Sequence, residues 1–187
     1  MRIISGKFRG LTLASVGKGD QAAHLRPTSD RVRESIFNLL MNGGYGNPVD
    51  GARVLDLFAG TGALGLEALS RGAEFVALMD NGRVAGDLIR RNLGLCRLSA
   101  DQAILLKRDA TRPGQNDMPR FDLVFLDPPY GKGLGETALA AALVGGWLAP
   151  QALVVCEEAA EMRPLPGYIR LDARRYGDSW VTLLELA

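Results

Sequence analysis

Histidine and cysteine are nearly absent from this chain of 187 residues, which has one histidine, His24, and two cysteines, Cys96 and Cys156. No cluster of either residue has metal-ligand spacing, which argues against a structural zinc. A Cys–His nucleophile pair would have to recruit His24 as its base. The expected role of that residue is instead an ordinary polar position in a flexible loop. Cys156 lies in an apolar run and is expected as a buried thiol, whereas Cys96 follows a predicted helix. No apolar run approaches the roughly 18 residues of a membrane span. The first residues, Met1-Arg2-Ile3-Ile4-Ser5-Gly6-Lys7, lack the apolar core of a signal peptide, so a cytoplasmic location is expected. Internal repeats and low-complexity stretches are also missing. With 47% hydrophobic and 23% charged residues, the chain reads as one soluble globular domain.

Net charge is small too, at +1, and by itself suggests no nucleic-acid partner. Its distribution is more informative. Residues 1–33 carry seven basic side chains (Arg2, Lys7, Arg9, Lys18, Arg26, Arg31, Arg33) against two acids, Asp20 and Asp30. A basic arm of this kind fits a phosphate-contacting footprint, and equally a solvated polar terminus. The expected organisation is an arm of short strands or loose chain over residues 1–27, followed by a folded domain over 28–187.

A helix-start signal at Pro27-Thr28-Ser29-Asp30 precedes Val32, Ile36, Leu39 and Leu40 at helical spacing, and Gly43-Gly44 ends that run. From residue 53 onward, strand, glycine-rich turn and helix alternate. Strands are predicted at 53–58, 75–79, 104–107, 123–126 and 153–156, and helices at 63–70, 83–94 and 135–147. Two extended runs, 168–175 and 180–186, flank Tyr176-Gly177-Asp178-Ser179 as an antiparallel hairpin. This pattern predicts an α/β, doubly wound, mostly parallel sheet with a C-terminal hairpin.

Two stretches carry chemistry. Gly60-Thr61-Gly62-Ala63-Leu64-Gly65 matches G-x-G-x-x-G between the first core strand and its helix, and Asp80 stands 20 residues after Gly60 at the end of the next strand. Glycines there let backbone approach a ligand, and the acid can accept from ribose hydroxyls. The pattern fits a nucleoside cofactor, whether NAD or S-adenosylmethionine. Asp56 lies inside the first strand, where a buried acid needs a partner such as a cationic ligand group. Asp109 either faces an adenine ring or is a solvated turn residue.

The second stretch, Asp127-Pro128-Pro129-Tyr130, follows the apolar run Leu123-Val124-Phe125-Leu126. Two prolines fix φ, remove two donors and keep Asp127 out of helical conformation. What remains is rich in acceptors and suits an amino group that donates hydrogen bonds, with Tyr130 as a flat face for stacking a base. A Pro-rich turn with a chance tyrosine is the plainer reading.

The segment Leu55 to Gly72 resembles the cofactor loop of class I methyltransferases, and Asp127-Pro128-Pro129-Tyr130 resembles the motif of enzymes that methylate exocyclic amino groups of bases. Arg26-Pro27-Thr28-Ser29-Asp30-Arg31-Val32-Arg33-Glu34-Ser35-Ile36-Phe37-Asn38, Arg2 to Gly10 and the late Tyr176-Gly177-Asp178-Ser179 resemble the RsmD family, over nearly the whole chain and in order. One departure is Asp80-Asn81-Gly82, where the family pattern has a second acid. The resemblance implies a seven-stranded Rossmann-like methyltransferase domain and S-adenosylmethionine as cofactor. Its substrate would be N2 of a guanine in 16S rRNA, free or within a small ribosomal subunit or assembly intermediate, and the protein would be a monomer with no metal.

In that reading Asp127, Pro128 and Tyr130 are catalytic, and Thr28, Asp56, Gly60, Gly62, Asp80 and Asp109 hold the cofactor. Arg2, Lys7, Arg9, Arg31 and Arg33 contact RNA. Arg174 and Arg175 are further RNA candidates or a solvated strand face. Three alternatives stay open: an NAD-dependent oxidoreductase, which leaves the tetrad unused; a DNA adenine-N6 methyltransferase, for which the chain has little room; and a non-catalytic RNA-binding assembly factor.

Overall fold

A computed structural model describes residues 1–16 and 29–187. Ser29 opens α1 (Asp30–Asn42), its side chain accepting from the Val32 N–H at 3.2 Å. The core then runs β1 (Arg53–Leu57), α2 (Ala63–Ser70), β2 (Phe75–Met79), α3 (Arg83–Leu95), β3 (Ala103–Leu106), β4 (Phe121–Leu126), α4 (Leu134–Val144) and β5 (Leu148–Glu158). A hairpin of β6 (Tyr168–Tyr176) and β7 (Ser179–Leu186) closes the chain. The sheet has seven strands in the order β3-β2-β1-β4-β5-β7-β6, with β7 antiparallel to both neighbours and the rest parallel. The expected doubly wound, mostly parallel sheet with a terminal hairpin is therefore the observed architecture.

Both faces of the sheet are covered, which is why its strands read as continuous apolar runs. Val54, Leu123, Phe125, Leu153 and Val155 pack with Ile36, Phe37, Leu64, Ala68 and Ile89 of α1, α2 and α3. The alternate positions, Leu55, Leu57, Val124, Leu126, Val154 and Cys156, pack with Ala138, Leu139, Ala142 and Trp147 on the other face. The period of two assigns Asp56 to the first face, beneath α2.

Several boundaries differ from expectation, three of them near the site or the core. The helix predicted through 147 stops at Val144, because Gly145 caps it and Gly146 takes φ 71°. Trp147 then turns into the core and donates its Nε1–H to the Gly114 carbonyl at 2.8 Å. β5 begins at Leu148, ahead of the predicted 153, because an irregularity carries the strand past Pro150. The partner of Phe121 is Leu148, and that of Leu123 is Leu153. β3 ends at Leu106, so Asp109 lies in a turn beyond it.

Residues 1–16 form one isolated bridge, Arg2 to Thr12, and fasten to three helices. The buried Glu67 carboxylate accepts from the Ile4 and Ser5 N–H groups at 2.8 and 3.0 Å and from Arg71 Nε at 2.7 Å. Ser70 Oγ accepts from the Phe8 N–H at 2.9 Å, and Asn92 holds Ala14 through both its N–H and its carbonyl. Ile3 and Leu13 bury against Ala63, Leu66 and Cys96. Backbone contact at Gly6 is close enough that a Cβ would lie 1.7 Å from the Ser70 carbonyl oxygen. Arg2, Lys7 and Arg9 are thus carried on a segment fastened to the helices, and residues 17–27 of the expected arm lie outside the described residues.

Arg33, expected to contact RNA, is corrected by this network. It is 0% exposed, hydrogen-bonds Asp30 and the Arg2 carbonyl, and stands 3.6 Å from Glu67. Burial of its guanidinium against two carboxylates makes it a strut of the fold.

Replacing Glu67 by alanine leaves Arg33 and Arg71 without their shared partner and two backbone N–H groups unpaired. The expected loss is about 3–5 kcal/mol of unfolding free energy, the usual cost of breaking a buried ion pair, read from urea unfolding. Gly65→Ala places a methyl 2.5 Å from a Leu78 Cδ and 2.7 Å from a Val76 Cγ. About 1–3 kcal/mol of destabilisation is expected from that overpacking, read from the same unfolding curve.

Candidate active site

The strand order reverses between β1 and β4, because the chain leaves β1 toward β2 on one side and returns to β4 on the other. A crevice opens at the carboxyl ends of strands at such a point. Here it is a cavity of about 690 Å³. Its walls come from the loop after β1 (58–61) with the start of α2, from Asp80 to Ala85 after β2, and from Asp127 to Tyr130 with Lys132 after β4. Glu157 of β5, Ser179 of β7, and Ser29 and Val32 at the start of α1 complete it.

The glycine loop is shaped by backbone that other residues resist. Gly60 and Gly62 take φ 57° and 79°, and a Cβ at Gly62 would also press on Leu78. Phe58, which is not glycine, also sits at φ 62°, a strained position where the strand turns into the loop. Asp80 ties this loop to the end of β2: one carboxylate oxygen accepts from the Gly60 N–H at 2.9 Å and the other from the Gly82 N–H at 2.7 Å. Asn92 donates to the Thr61 carbonyl at 2.8 Å, joining the loop to α3 and, through Ala14, to the N-terminal segment.

Asp56 is 1% exposed and accepts from the Gly65 N–H at 2.9 Å. Desolvation pushes its carboxyl up to about 7; the Gly65 N–H works against that, and the neighbouring Asp80 charge adds to it. A cationic ligand group beside it would supply the missing counter-charge.

On the opposite wall, Pro128 is buried and Asp127 and Tyr130 are half-buried. The Tyr130 hydroxyl donates to Glu157 Oε1 at 2.9 Å and lies 2.9 Å from Ser179 Oγ. Desolvation, chiefly, holds its pKa well above the usual phenol range, so it stays a donor. Gly131 N–H reaches Glu158 at 3.4 Å, tethering the turn after the tetrad to the end of β5.

The fold therefore brings Asp56, Gly60, Asp80, Asp127, Pro128 and Tyr130 around one cavity, whereas Gly62 is not part of its lining and packs near Leu78, Ile89 and Leu66. Asp109 does not reach that lining. Its Oδ1 accepts from the Thr111 N–H and hydroxyl at 2.9 and 2.7 Å, which holds its carboxyl below the usual range. Thr28, His24 and Arg26 lie outside the described residues.

Among the basic candidates, Arg2, Lys7, Arg9 and Arg31 are exposed. Arg31 stands between the cavity-lining Ser29 and Val32. Arg2 follows Met1, whose sulfur accepts from the Thr61 hydroxyl at 3.7 Å. Lys7 and Arg9 sit at the far end of α2, since the Lys7 N–H donates to the Ser70 carbonyl. Eight residues of helix put roughly 12 Å between that end and the glycine loop. Sequence reasoning missed Glu157, Ser179 and Lys132. Glu157 had a usable signal, since it ends an apolar strand run as Asp80 and Asp127 do.

Among the described residues, no group of three or more His, Cys, Asp or Glu side chains could hold a metal ion, and no helix is long and apolar enough to cross a membrane.

The family model described as Conserved hypothetical protein 95 matches residues 1–185. Ribosomal RNA small subunit methyltransferase D of Haemophilus influenzae is 38% identical over 160 residues, 84% of this chain and 78% of the relative. The protein of the same name from Escherichia coli is 38% identical over 161 residues, 86% of this chain and 76% of the relative. Among solved structures, a putative methyltransferase from Escherichia coli superposes with a TM-score of 0.79 at 33% identity, covering 100% of this chain and 97% of that one.

A carboxyl raised in the folded protein binds its proton more tightly there than in the unfolded chain. Asp56 therefore favours folding most below pH 3.8, and that contribution is lost as pH rises toward about 7. Relative to wild type, Asp56→Asn should gain stability progressively across this window and hold a constant difference above it. Unfolding free energies of both proteins at several pH values check this.

Proposed function

This chain belongs to the RsmD family, and we propose that it transfers a methyl group from S-adenosylmethionine to the exocyclic N2 of a guanine in small-subunit rRNA. One observation carries the reading. The glycine loop with Asp80 and the Asp127-Pro128-Pro129-Tyr130 tetrad face each other across a single cavity at the sheet's reversal point.

The cavity suits this cofactor chemically. Asp80 keeps a second lone pair on each oxygen for ribose hydroxyls while its first pairs hold Gly60 and Gly82. Gly60 and Gly62 allow the close backbone approach that a nucleoside needs. Asp56, raised to about 7 by burial, is a carboxyl that a cationic sulfonium or ammonium would draw into its charged form. When bound, S-adenosylmethionine supplies an electrophilic methyl group on a sulfonium.

The remaining work falls to the chain's own residues. The lone pair of a guanine N2 is delocalised into the ring, so the amine is a weak nucleophile. Acceptors at its hydrogens turn the lone pair toward the methyl and stabilise the charge that develops on nitrogen. The Asp127 carboxylate and the Pro128 carbonyl fill this role, by alignment and electrostatics more than by strong-base chemistry. Tyr130, its hydroxyl anchored by Glu157 and Ser179, presents its ring for stacking on a base turned out of its helix or loop. In this reading Arg2 and Arg31, both exposed near α1, contact the phosphates of the incoming RNA.

The oxidoreductase reading would leave the tetrad wall of the cavity without work. A DNA adenine-N6 enzyme would share the tetrad chemistry, and product analysis separates the two.

The test is transfer of labelled methyl from S-adenosylmethionine to deproteinised rRNA and to small ribosomal subunits, both from cells lacking this protein. N2-methylguanosine is the expected product, and N6-methyladenosine would overturn the base assignment. Asp127→Ala should cut turnover about 100-fold or more with cofactor affinity nearly unchanged. Asp80→Ala should weaken cofactor binding about tenfold or more through lost hydrogen bonds to a charged group. Equal loss of cofactor affinity in both variants would refute this division of labour.

A further inference from the structure

Glu157 has no task in the chemistry above beyond orienting Tyr130, yet it is a carboxylate 4% exposed in the wall of the cavity. Among the described residues, one of its oxygens is engaged: Oε1 accepts from the Tyr130 hydroxyl at 2.9 Å, and Oε2 is buried with no hydrogen-bond partner there. Such a carboxylate oxygen costs stability, and in a native structure it calls for an explanation. Its place in the sheet is rigid, paired to Val181 of β7.

Register fixes its neighbour. Leu126 of β4 pairs with Cys156 of β5 as the last rung between these strands, and the next residues on the two chains are Asp127 and Glu157. Val155 and Phe125, two positions earlier on each strand, share one core face, so Asp127 and Glu157 fall on the same side of the sheet. Adjacent strands put them roughly 5 Å apart. Two carboxylates thus stand side by side next to Tyr130, and Glu157 has one acceptor unmet among the described residues.

We propose that Glu157 reads the target base as guanine. Its carboxylate accepts the N1–H while Asp127 and Pro128 hold the neighbouring amino group. This rests on the methyl-transfer reading above and adds the source of its base selectivity. Guanine carries a ring N–H next to its exocyclic amine. Adenine and cytosine instead present a ring lone pair beside theirs, which a carboxylate repels. A site built to hydrogen-bond a donor rejects an analogue that lacks it, because its own buried acceptor is left unpaired. Asp127 alone would select for an amine without saying which base bears it.

The experiment uses the full chain and small subunits reconstituted with rRNA carrying either guanine or 2,6-diaminopurine at the methylated position. The analogue keeps the 2-amino group but has a lone pair at N1. Wild type should prefer guanine by about 100-fold in kcat/KM. Glu157→Gln keeps an acceptor for the Tyr130 hydroxyl and offers an amide N–H to N1. It should lose transfer to guanine, gain on the analogue and so narrow the preference at least about tenfold, with affinity for S-adenosylhomocysteine unchanged. Ser179→Ala, which also touches Tyr130 but carries no carboxylate, should keep the guanine preference.

A Glu157→Gln enzyme that retains the wild-type preference, or slows equally on both bases, would overturn the assignment and leave Glu157 a support for Tyr130. Wild-type product at adenine N6 would overturn the guanine-N2 assignment and this proposal with it. A normal N2-methylguanosine product with unchanged discrimination in the variant would sink only the role of Glu157.

Discussion

The reversal of strand order between β1 and β4 is the constraint from which the rest follows. Parallel strands joined by right-handed crossovers place their connecting helices on opposite faces once the chain changes direction, and the loops on either side of the change part company. The glycine loop after β1, Asp80 after β2 and the tetrad after β4 are far apart in sequence. They meet because each ends a parallel strand at the same edge of the sheet. A single register shift of β4 would exchange its two faces and carry Asp127 away from Asp56.

The cavity that results is unusually rich in carboxyl groups, with Asp56, Asp80, Asp127 and Glu157 all in its walls. Like charges crowded in a partly dry site disfavour one another, and the raised Asp56 carboxyl records both that crowding and its burial. A site of this character suits ligands that bring positive charge and N–H groups. Lys132 and Arg83 in the lining, with Arg31 beside it, provide the opposite sign toward solvent.

The N-terminal segment is part of the same construction. Asn92 joins the Ala14 backbone to the Thr61 carbonyl, so the chain that carries Arg2 is hydrogen-bonded through one side chain to the loop that shapes the cavity. Glu67 and Arg33 hold the first strand-like turn to α1 and α2. A buried ion pair of this kind is weak evidence for net stability, but it specifies where the segment sits.

Local chemistry in the sequence determined the element types, the sheet class and the two loop motifs. Apolar runs bounded by glycines mark buried parallel strands, Ser29 marks the start of α1, and two consecutive prolines force an extended, donor-poor turn wherever they stand. The boundaries at Val144 and Leu148 lie where an apolar run continues past a glycine pair or a proline, so periodicity alone does not show the break. Tertiary structure decided which charges face solvent and which acids share a wall. Arg33 and Arg31 are two residues apart on one helix, yet one is buried between carboxylates and the other exposed, because helical phase turns only one toward α2. Glu157 and Asp127 are 30 residues apart and became neighbours through strand pairing, a long-range contact that no local pattern encodes.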